Sequence, residues 1–330
     1  MKEELLVDSY YLYNFSGSNS RVPPLLGRSY DLQSNSFTLS YAKIALEIDS
    51  DPVTVRADLG YGQLASLISG GSPGSSAFAA QQAYASLKVP GTQLTIDFGR
   101  FNTTAGAEVI EANRNWIYSR SLLFAIIPVT HTGLRLGYKI NDMVSVQASL
   151  VNGIFNDSPD INSDKTGGIS VSIAPLPTTS IIATTYFGKE GAEGSAVNPV
   201  RFTGDLVVAH NISDQLGLNL NIDYIKLGDA NAFGVAAMGR FVVNEHLNLA
   251  ARVEFLKDKG ILLAGSTESE SIFEGTLTAA VPFAGHYEMR AELRDDGASN
   301  AIFPEGGTML MPELKKNQFT GTVAFLGYIQ

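Results

Sequence analysis

The chain has 330 residues, of which 45% are hydrophobic and only 17% are charged, and 33 acidic against 23 basic residues give a net charge of −10. The low charge indicates a surface much of which does not face water, and the acidic balance excludes a protein that grips nucleic-acid phosphates. A helical membrane protein is excluded because the longest apolar run, 122–129, is far shorter than the roughly 18 residues that a spanning helix needs, and the lack of cysteine excludes disulfide scaffolds.

The chain begins MKEELLVDSYYLYNF, without the basic segment and apolar run of a signal peptide, and it enters an alternating strand almost at once. A mature exported protein and a cytoplasmic protein could both begin in this way. The N-terminus by itself therefore leaves the compartment open.

Alternation of apolar and polar residues at period 2, which puts one set of side chains on each face of a strand, recurs from end to end. In VTVRADLGYG, residues 53–62, Arg56 and Asp58 lie opposite Val55 and Leu59. The segments LGLNLNIDYIK and YEMRAELR, which begin at residues 216 and 287, follow the same pattern. A charged row on one face of so many strands is hard to reconcile with a packed core.

We predict about sixteen strands, each near the roughly 9 to 11 residues that a tilted strand needs to cross a bilayer. Fourteen strands remain an alternative, because SFTLSYAKIALEI changes phase near Ala42, as at a β-bulge, and FAAQQAYASLKV is weakly patterned. The approximate strand centres are Tyr10, Lys43, Ala57, Tyr84, Ile96, Arg135, Ala148, Val171, Thr184, Val207, Leu220, Ala237, Ala251, Leu277, Ala291 and Ala324.

The connections between these strands alternate between short and long. Short turns rich in Gly, Pro, Asn and Asp lie near residues 49, 90, 141, 175, 213, 244 and 284. Between them fall the long segments 16–35, 63–77, 102–129, 155–167, 189–200, 258–270 and 296–317, with one brief link near residue 229. The sequence therefore predicts an all-β fold, a transmembrane antiparallel β-barrel with short turns and both termini on one side and long loops on the other. We expect residues 1–330 to form one domain.

A soluble β-sandwich is the alternative, because it too alternates and the parity pattern alone does not separate the two. The low overall charge, the alternating loop lengths and the aromatic residues favour the membrane barrel. Aromatic side chains such as Tyr10, Tyr61, Phe98 and Tyr287 cluster toward strand ends, as in the girdles of barrels at the two bilayer interfaces.

In a barrel the polar row would line the lumen. The residues that parity predicts to face inward include Arg56, Asp58, Asp97, Arg135, Lys139, Asp223, Arg240, Arg252, Arg290 and Arg294. The segment 102–129 is the longest connection, and it contains the only Trp together with a short helical period at Ala105–Ala112. Loops longer than about 15 residues without strands of their own are usually functional.

The segment GRFNTTAGAEVIEANRNWIYSRSLLFAIIPVTHTGLRLGY, residues 99–138, together with VRADLGYG and DSYYLYNF, resembles the bacterial outer-membrane β-barrel porins of the OmpL-like family. The last strand, QFTGTVAFLGYIQ, resembles the assembly signal of such barrels, although Ile329 and Gln330 follow its terminal aromatic, Tyr328. Membership would imply a Gram-negative outer-membrane protein, made with a signal peptide that the printed sequence does not contain. Small hydrophilic solutes and ions would diffuse passively through a water-filled lumen surrounded by outer-membrane lipids. No catalytic residue and no cofactor come with the family, so we expect no enzyme.

By likeness to general porins, the 102–129 loop would fold into the lumen and form a constriction, and the protein would be a homotrimer. Glu108 and Glu111 would then stand across the pore from Arg56, Arg135 and Lys139 and create a transverse field. In an alternative reading the loop is a solvated lid over the mouth. A second alternative is a non-conducting outer-membrane barrel whose long loops make it a receptor, an adhesin or a structural anchor.

Other candidate sites have weaker patterns. In NDSPDINSDKTGG, Asp160, Asn162 and Asp164 resemble the first half of a calcium loop, but the glycine at the sixth position and the later Glu are missing. A solvated acidic loop is therefore favoured over a calcium site. Among the histidines only His131 lies within a strand, where Ser119 or Ser121 would be the candidate partner of a catalytic pair.

Overall fold

The computed structural model describes residues 1–17, 24–155, 160–307 and 312–329, and sixteen of its strands close into an antiparallel barrel. The barrel strands are β1 (Lys2–Asn14), β2 (Ser36–Ser50), β3 (Val53–Gly62), β4 (Ala77–Lys88), β5 (Leu94–Asn102), β6 (Thr130–Lys139), β7 (Val144–Val151), β8 (Thr166–Leu176), β9 (Thr179–Lys189), β10 (Val200–Asn211), β11 (Leu216–Leu227), β12 (Ala230–Asn244), β13 (Leu247–Lys259), β14 (Glu270–Phe283), β15 (Tyr287–Ala298) and β18 (Asn317–Ile329). The short strands β16 (Phe303–Gly307) and β17 (Pro312–Lys315) pair with each other outside the barrel sheet. All sixteen predicted strand centres lie within the barrel strands, which confirms the larger strand number.

Closure of the barrel joins the first strand to the last. Tyr10 of β1 pairs with Ala324 of β18 on one side and with Thr38 of β2 on the other. Every barrel strand thus has two neighbours, so its backbone amides and carbonyls are hydrogen-bonded, as a hydrocarbon environment requires. Both ends of the chain lie at the edge that carries the short turns, because β1 runs from that edge into the first long loop.

Alternation decides which side chains face the lumen, and the buried face of the sheet is the polar one. On β13, Arg252 is 1% exposed and Glu254 is 4% exposed, whereas Val253 between them is 65% exposed. On β14, Glu274 is buried while Phe273 is exposed. A soluble sandwich would bury the apolar row instead, so this polarity excludes the sandwich and fits an apolar outer wall in lipid.

Two β-bulges account for the strands with poor alternation. The register of β1 against β2 shifts between Asp8 and Ser9, so that Ser40 and Tyr41 on β2 are both buried. This confirms the predicted phase change near Ala42. A second shift between β3 and β4 leaves Gln81 and Gln82 adjacent and both buried, which breaks the pattern of β4.

Two local predictions are wrong. Tyr10 does not belong to an outer girdle: it faces inward, 3% exposed, with its ring centre 6.0 Å from that of Tyr118, because its neighbour Tyr11 takes the opposite face. Ala105–Ala112 is not helical, since Gly106 has a φ of +88° and the Ala107 amide bonds to a barrel strand. Among the described residues the helices are instead α1 (Gln63–Ile68) and α2 (Leu122–Ile126), with a 3-10 turn at Ala112–Arg114. In the part of the chain that the structure describes, no helix is long and apolar enough to cross a membrane.

A matched pair of substitutions on β11 tests the assignment of the two faces. Leu220 is directed outward, whereas Asn219 faces the lumen. Leu220→Arg is expected to destabilise the folded barrel by roughly 2 to 4 kcal/mol, because the charge meets hydrocarbon, and Asn219→Arg should cost far less. Urea unfolding of both variants in lipid vesicles measures the difference. Equal unfolding midpoints for the two variants would contradict the membrane assignment.

Candidate permeation pathway

The long connection 103–129 between β5 and β6, here called L3, lies inside the barrel and touches its wall on several sides. The Ala107 amide donates to Asn221 Oδ1 on β11 at 3.0 Å, and the Tyr118 hydroxyl donates to Asp8 Oδ1 on β1 at 2.9 Å. The amides of Tyr118 and Ser119 donate to the Glu292 carboxylate on β15. The predicted loop is therefore folded into the lumen and is not a lid over the mouth.

Carboxylates hold the start of α2 within L3. Glu254 on β13 accepts hydrogen bonds from the amides of Leu122 (2.8 Å) and Leu123 (2.7 Å). The Ser121 amide donates to Glu108 Oε2 at 2.7 Å, and Ser121 Oγ accepts from the Phe124 amide at 3.0 Å. The first amides of a helix have no partner within the helix, so these acceptors fix α2 against the wall.

Two buried arginines attach L3 to the wall of β13–β15. Arg252 lies between Glu108 Oε1 on L3 and Glu274 Oε2 on β14, each 2.8 Å away, and it donates to the Ser119 carbonyl at 3.0 Å. Arg294 pairs with Asp296 at 2.7 Å and donates to the Arg120 carbonyl at 2.6 Å. Both arginines are 1% exposed, so their charges are compensated by protein groups rather than by water.

A second set of ion pairs holds L3 to the wall of β2–β4. Glu111 pairs with Lys43, and Gln81 Nε2 donates to Glu111 Oε1 at 3.0 Å. Burial would raise the pKa of Glu111, but the charge and hydrogen bond of Lys43 outweigh it and hold that pKa below its ordinary value. Lys43 also pairs with Asp58 at 2.9 Å, and Asp58 accepts from Arg56 at 2.8 Å.

The five predicted constriction residues do not converge. Glu111 lies on the same part of the wall as Arg56, because ion pairs through Lys43 and Asp58 connect the two. Glu108 instead lies at β13, where it pairs with Arg252. Arg135 pairs with Asp97 at 2.7 Å and covers the Phe101 ring. Lys139 is exposed near a short turn, where it pairs with Asp142 at 2.6 Å.

The other predicted lumen residues have separate environments. Arg290 donates to Glu288 at 2.5 Å, and the Arg240 guanidinium lies 5.2 Å from the centre of the Trp116 ring. Asp223 is fully buried beside Asp205, its cross-strand neighbour. The sequence analysis did not predict that Lys43 faces the lumen. The alternation with Ile44 and Leu46, which face outward, would have indicated it.

Open space remains on one side of L3. A cavity of about 360 Å³ lies between L3 and the wall of β7–β9. Its lining on the wall side includes Ser145, Gln147, Ser170 and Ser172, and L3 contributes the segment 103–110. This open space is off centre in the barrel, because ion pairs hold L3 at the walls of β13–β15 and β2–β4.

The weaker candidate sites gain no support from their contacts. Asp160 pairs with Lys165 at 2.8 Å, Asn162 Nδ2 donates to the Gly191 carbonyl at 2.7 Å, and Asp164 accepts from Asn198 Nδ2 at 2.8 Å. These three groups therefore point to separate partners, and the described ranges contain no cluster of three or more His, Cys, Asp or Glu residues that could hold a metal.

His131 packs its ring against Tyr186, with ring centres 4.7 Å apart, and its Nδ1 lies 3.4 Å from the Gly153 carbonyl oxygen. Ser119 contacts Arg252 instead, and Ser121 caps α2. The described contacts thus do not form the catalytic pair considered from the sequence.

Comparison with known proteins gives a family and several similar folds. The sequence model of the family described as "Putative beta-barrel porin-2, OmpL-like" matches residues 3–326. The outer membrane channel DcaP of Acinetobacter baumannii superposes with a TM-score of 0.68 at 10% identity, over 99% of this chain and 96% of that chain. The anion-selective porin from Comamonas acidovorans gives 0.62 at 11% identity, over 99% of both chains. The trimer form of OmpT, an outer membrane protein of Vibrio cholerae, gives 0.62 at 10% identity, over 99% and 98%. No curated protein sequence matches the chain.

Proposed function

Since the chain belongs to the OmpL-like family of β-barrel porins of the bacterial outer membrane, we propose that small hydrophilic solutes and ions diffuse passively through its lumen, along the side that L3 leaves open. The single observation that carries this proposal is the polar lumen of a closed sixteen-stranded barrel, in which L3 is held at β13–β15 and β2–β4 and open space remains at β7–β9. Water-filled lumens with polar walls and an inward loop conduct solutes according to size and fixed charge.

L3 is the proposed constriction, and its two acidic residues act as anchors rather than as free charges facing the pore. Glu108 is compensated by Arg252, and Glu111 by Lys43. Arg56 and Arg135 would line the pathway at β3 and β6, and Lys139 would stand at the mouth on the side of the short turns. The remaining predicted lining residues are Asp58, Asp97, Asp223, Arg240, Arg252, Arg290 and Arg294.

Removing both anchor charges tests the electrostatic part of the proposal. Glu108→Gln combined with Glu111→Gln leaves Arg252 and Lys43 without these carboxylates, so the lumen gains two units of positive charge. We expect the reversal potential in a KCl gradient to shift toward anion preference, because buried charges are screened less than exposed ones. The control, Asp160→Asn with Asp164→Asn, removes two acidic charges from a connection on the long-loop side of the barrel, outside L3. The same shift in both double variants would contradict a role for L3.

Planar-bilayer conductance also separates the proposed channel from the alternative, a receptor, adhesin or anchor that does not conduct. No described feature favours that alternative. The family and fold are typical of channels rather than of enzymes, and we propose that the protein has no catalytic activity, which the contacts of His131, Ser119 and Ser121 support.

We further propose that the chain forms one domain and assembles as a homotrimer among outer-membrane lipids. The trimer form of the similar OmpT barrel supports this assembly.

A further inference from the structure

The wall that L3 leaves open carries no formal charge. β7, β8 and β9 are fully described. Lys189, the last residue of β9, is the one charged residue in these three strands, and its side chain faces away from the lumen. Their inward positions include Ser145, Gln147, Ser149, Gly168, Ser170, Ser172, Ile182, Thr184 and Tyr186. On the opposite wall, β15 alone places Glu288, Arg290, Glu292, Arg294 and Asp296 inward. The open wall of β7–β9 thus presents hydroxyls and an amide, whereas the charged pairs of the lumen lie on other strands, such as Arg135 on β6 with Asp97 on β5.

The cavity beside this wall has two different surfaces. The hydroxyls of Ser145, Ser170 and Ser172 and the side-chain amide of Gln147 lie on the wall side. L3 contributes apolar groups, among them Ile110, Phe124 and Val129, together with the polar residues Thr103 and Thr104. The Gln147 Oε1 atom is buried without a hydrogen-bond partner among the described residues, so this wall carries hydrogen-bonding capacity that the protein does not use. A solute with both hydroxyls and C–H groups would match this lining.

One charged side chain, that of Glu108, reaches the described lining of the cavity, and its charge is already compensated. Its Oε1 pairs with Arg252 at 2.8 Å and its Oε2 accepts from the Ser121 amide at 2.7 Å, and Glu108 is 7% exposed. An ion that enters the cavity therefore loses water without gaining a free countercharge, which disfavours it. A neutral hydroxylated solute instead exchanges hydrogen bonds to water for hydrogen bonds to the wall.

The size of the cavity suits a small solute. Its volume of about 360 Å³ holds about a dozen waters at roughly 30 Å³ each, which is the space needed by a solute with about a dozen non-hydrogen atoms. We propose that the cavity between L3 and β7–β9 is a permeation subsite for neutral polyhydroxylated solutes of monosaccharide size. This inference rests on the proposed channel function, and it names the class of solute that the open side favours.

Three analogues of one ring size provide the test. Tracer fluxes of glucose, glucosamine and glucuronate are compared in proteoliposomes of the full chain, without a membrane potential, at about pH 6, where the amine is a cation and the acid an anion. Salt at about 0.15 M weakens the fields of the exposed mouths. Glucose is expected to cross at least about threefold faster than both charged analogues, because the subsite compensates neither charge. A field from acidic mouths alone would instead make glucosamine the fastest.

Two isosteric substitutions then locate the effect. Gln147→Glu places a carboxylate in the cavity and should raise the ratio of glucosamine to glucose flux about threefold or more, because it supplies the missing countercharge. Asn219→Asp is the matched control, since Asn219 is another inward amide without a described partner for its oxygen but does not line the cavity. This control should leave the ratio nearly unchanged.

The outcomes separate the subsite from the channel. A protein that conducts KCl but passes glucosamine or glucuronate as fast as glucose overturns the subsite alone, as does an equal response to Gln147→Glu and Asn219→Asp. A folded protein without KCl conductance overturns the channel and the subsite together.

Discussion

Deletion of Ala105–Arg114 from L3 is expected to raise the single-channel conductance at least about twofold, because the conductance of a water-filled pore depends on its narrowest section. The deleted segment contains both anchors, Glu108 and Glu111, and the Ala107 amide that bonds to Asn221. Without these contacts L3 loses its attachment to β2–β4 and to β11, while its residues 118–123 keep their hydrogen bonds to β13 and β15. The sixteen barrel strands are left intact, so the protein should still fold.

The control for this deletion is a shorter one in another long loop. Removal of residues 192–197 takes exposed residues from the connection between β9 and β10 and touches neither L3 nor the cavity. Its conductance should remain that of the parent. If the L3 deletion variant folds normally and conducts no more than the parent, L3 is not the constriction.

Arg252→Met is expected to lower the free energy of unfolding by about 3 kcal/mol or more, because breaking a buried ion pair leaves an uncompensated charge behind. Arg252 is 1% exposed and bridges Glu108 and Glu274, so the substitution removes the partner of a carboxylate on L3 and of one on β14. Glu274 keeps Arg294, 3.6 Å away, whereas Glu108 keeps the Ser121 amide only among its described partners. We therefore expect L3 to loosen and the channel current to become noisier.

Lys139→Met provides the comparison for this substitution. Lys139 pairs with Asp142 at 2.6 Å, but both side chains are largely exposed. Exposed pairs contribute about 1 kcal/mol or less, so this variant should unfold near the parent. Denaturant unfolding of both proteins in vesicles measures the difference, and similar losses in the two variants would show that the Arg252 network does not stabilise the barrel.

The sequence alone predicted which side chains of the barrel wall face the lumen, because the direction of a side chain on a strand is a local property. The opposition of Leu220 and Asn219 follows from period 2 alone, and a phase change near Ala42 indicates a bulge without any knowledge of its neighbours. Turn residues and loop lengths are local too, so they predicted which edge of the barrel carries the short turns and which carries the long loops. The inward row on β15, from Glu288 to Arg294, could therefore be predicted residue by residue.

The partners of the inward loop were decided by the tertiary structure only. Glu108 meets Arg252, which lies 144 positions away, and Glu111 meets Lys43, which lies 68 positions away. These contacts depend on the closure of the barrel, the stagger of its strands and the path of L3 across the lumen, none of which leaves a periodic signal. The helical period at Ala105–Ala112 failed for the same reason, because the wall offers that segment other hydrogen-bond partners, such as Asn221 for the Ala107 amide. Parity could place charges in the lumen, but only the position of L3 determined which are compensated and that the open side is the neutral one.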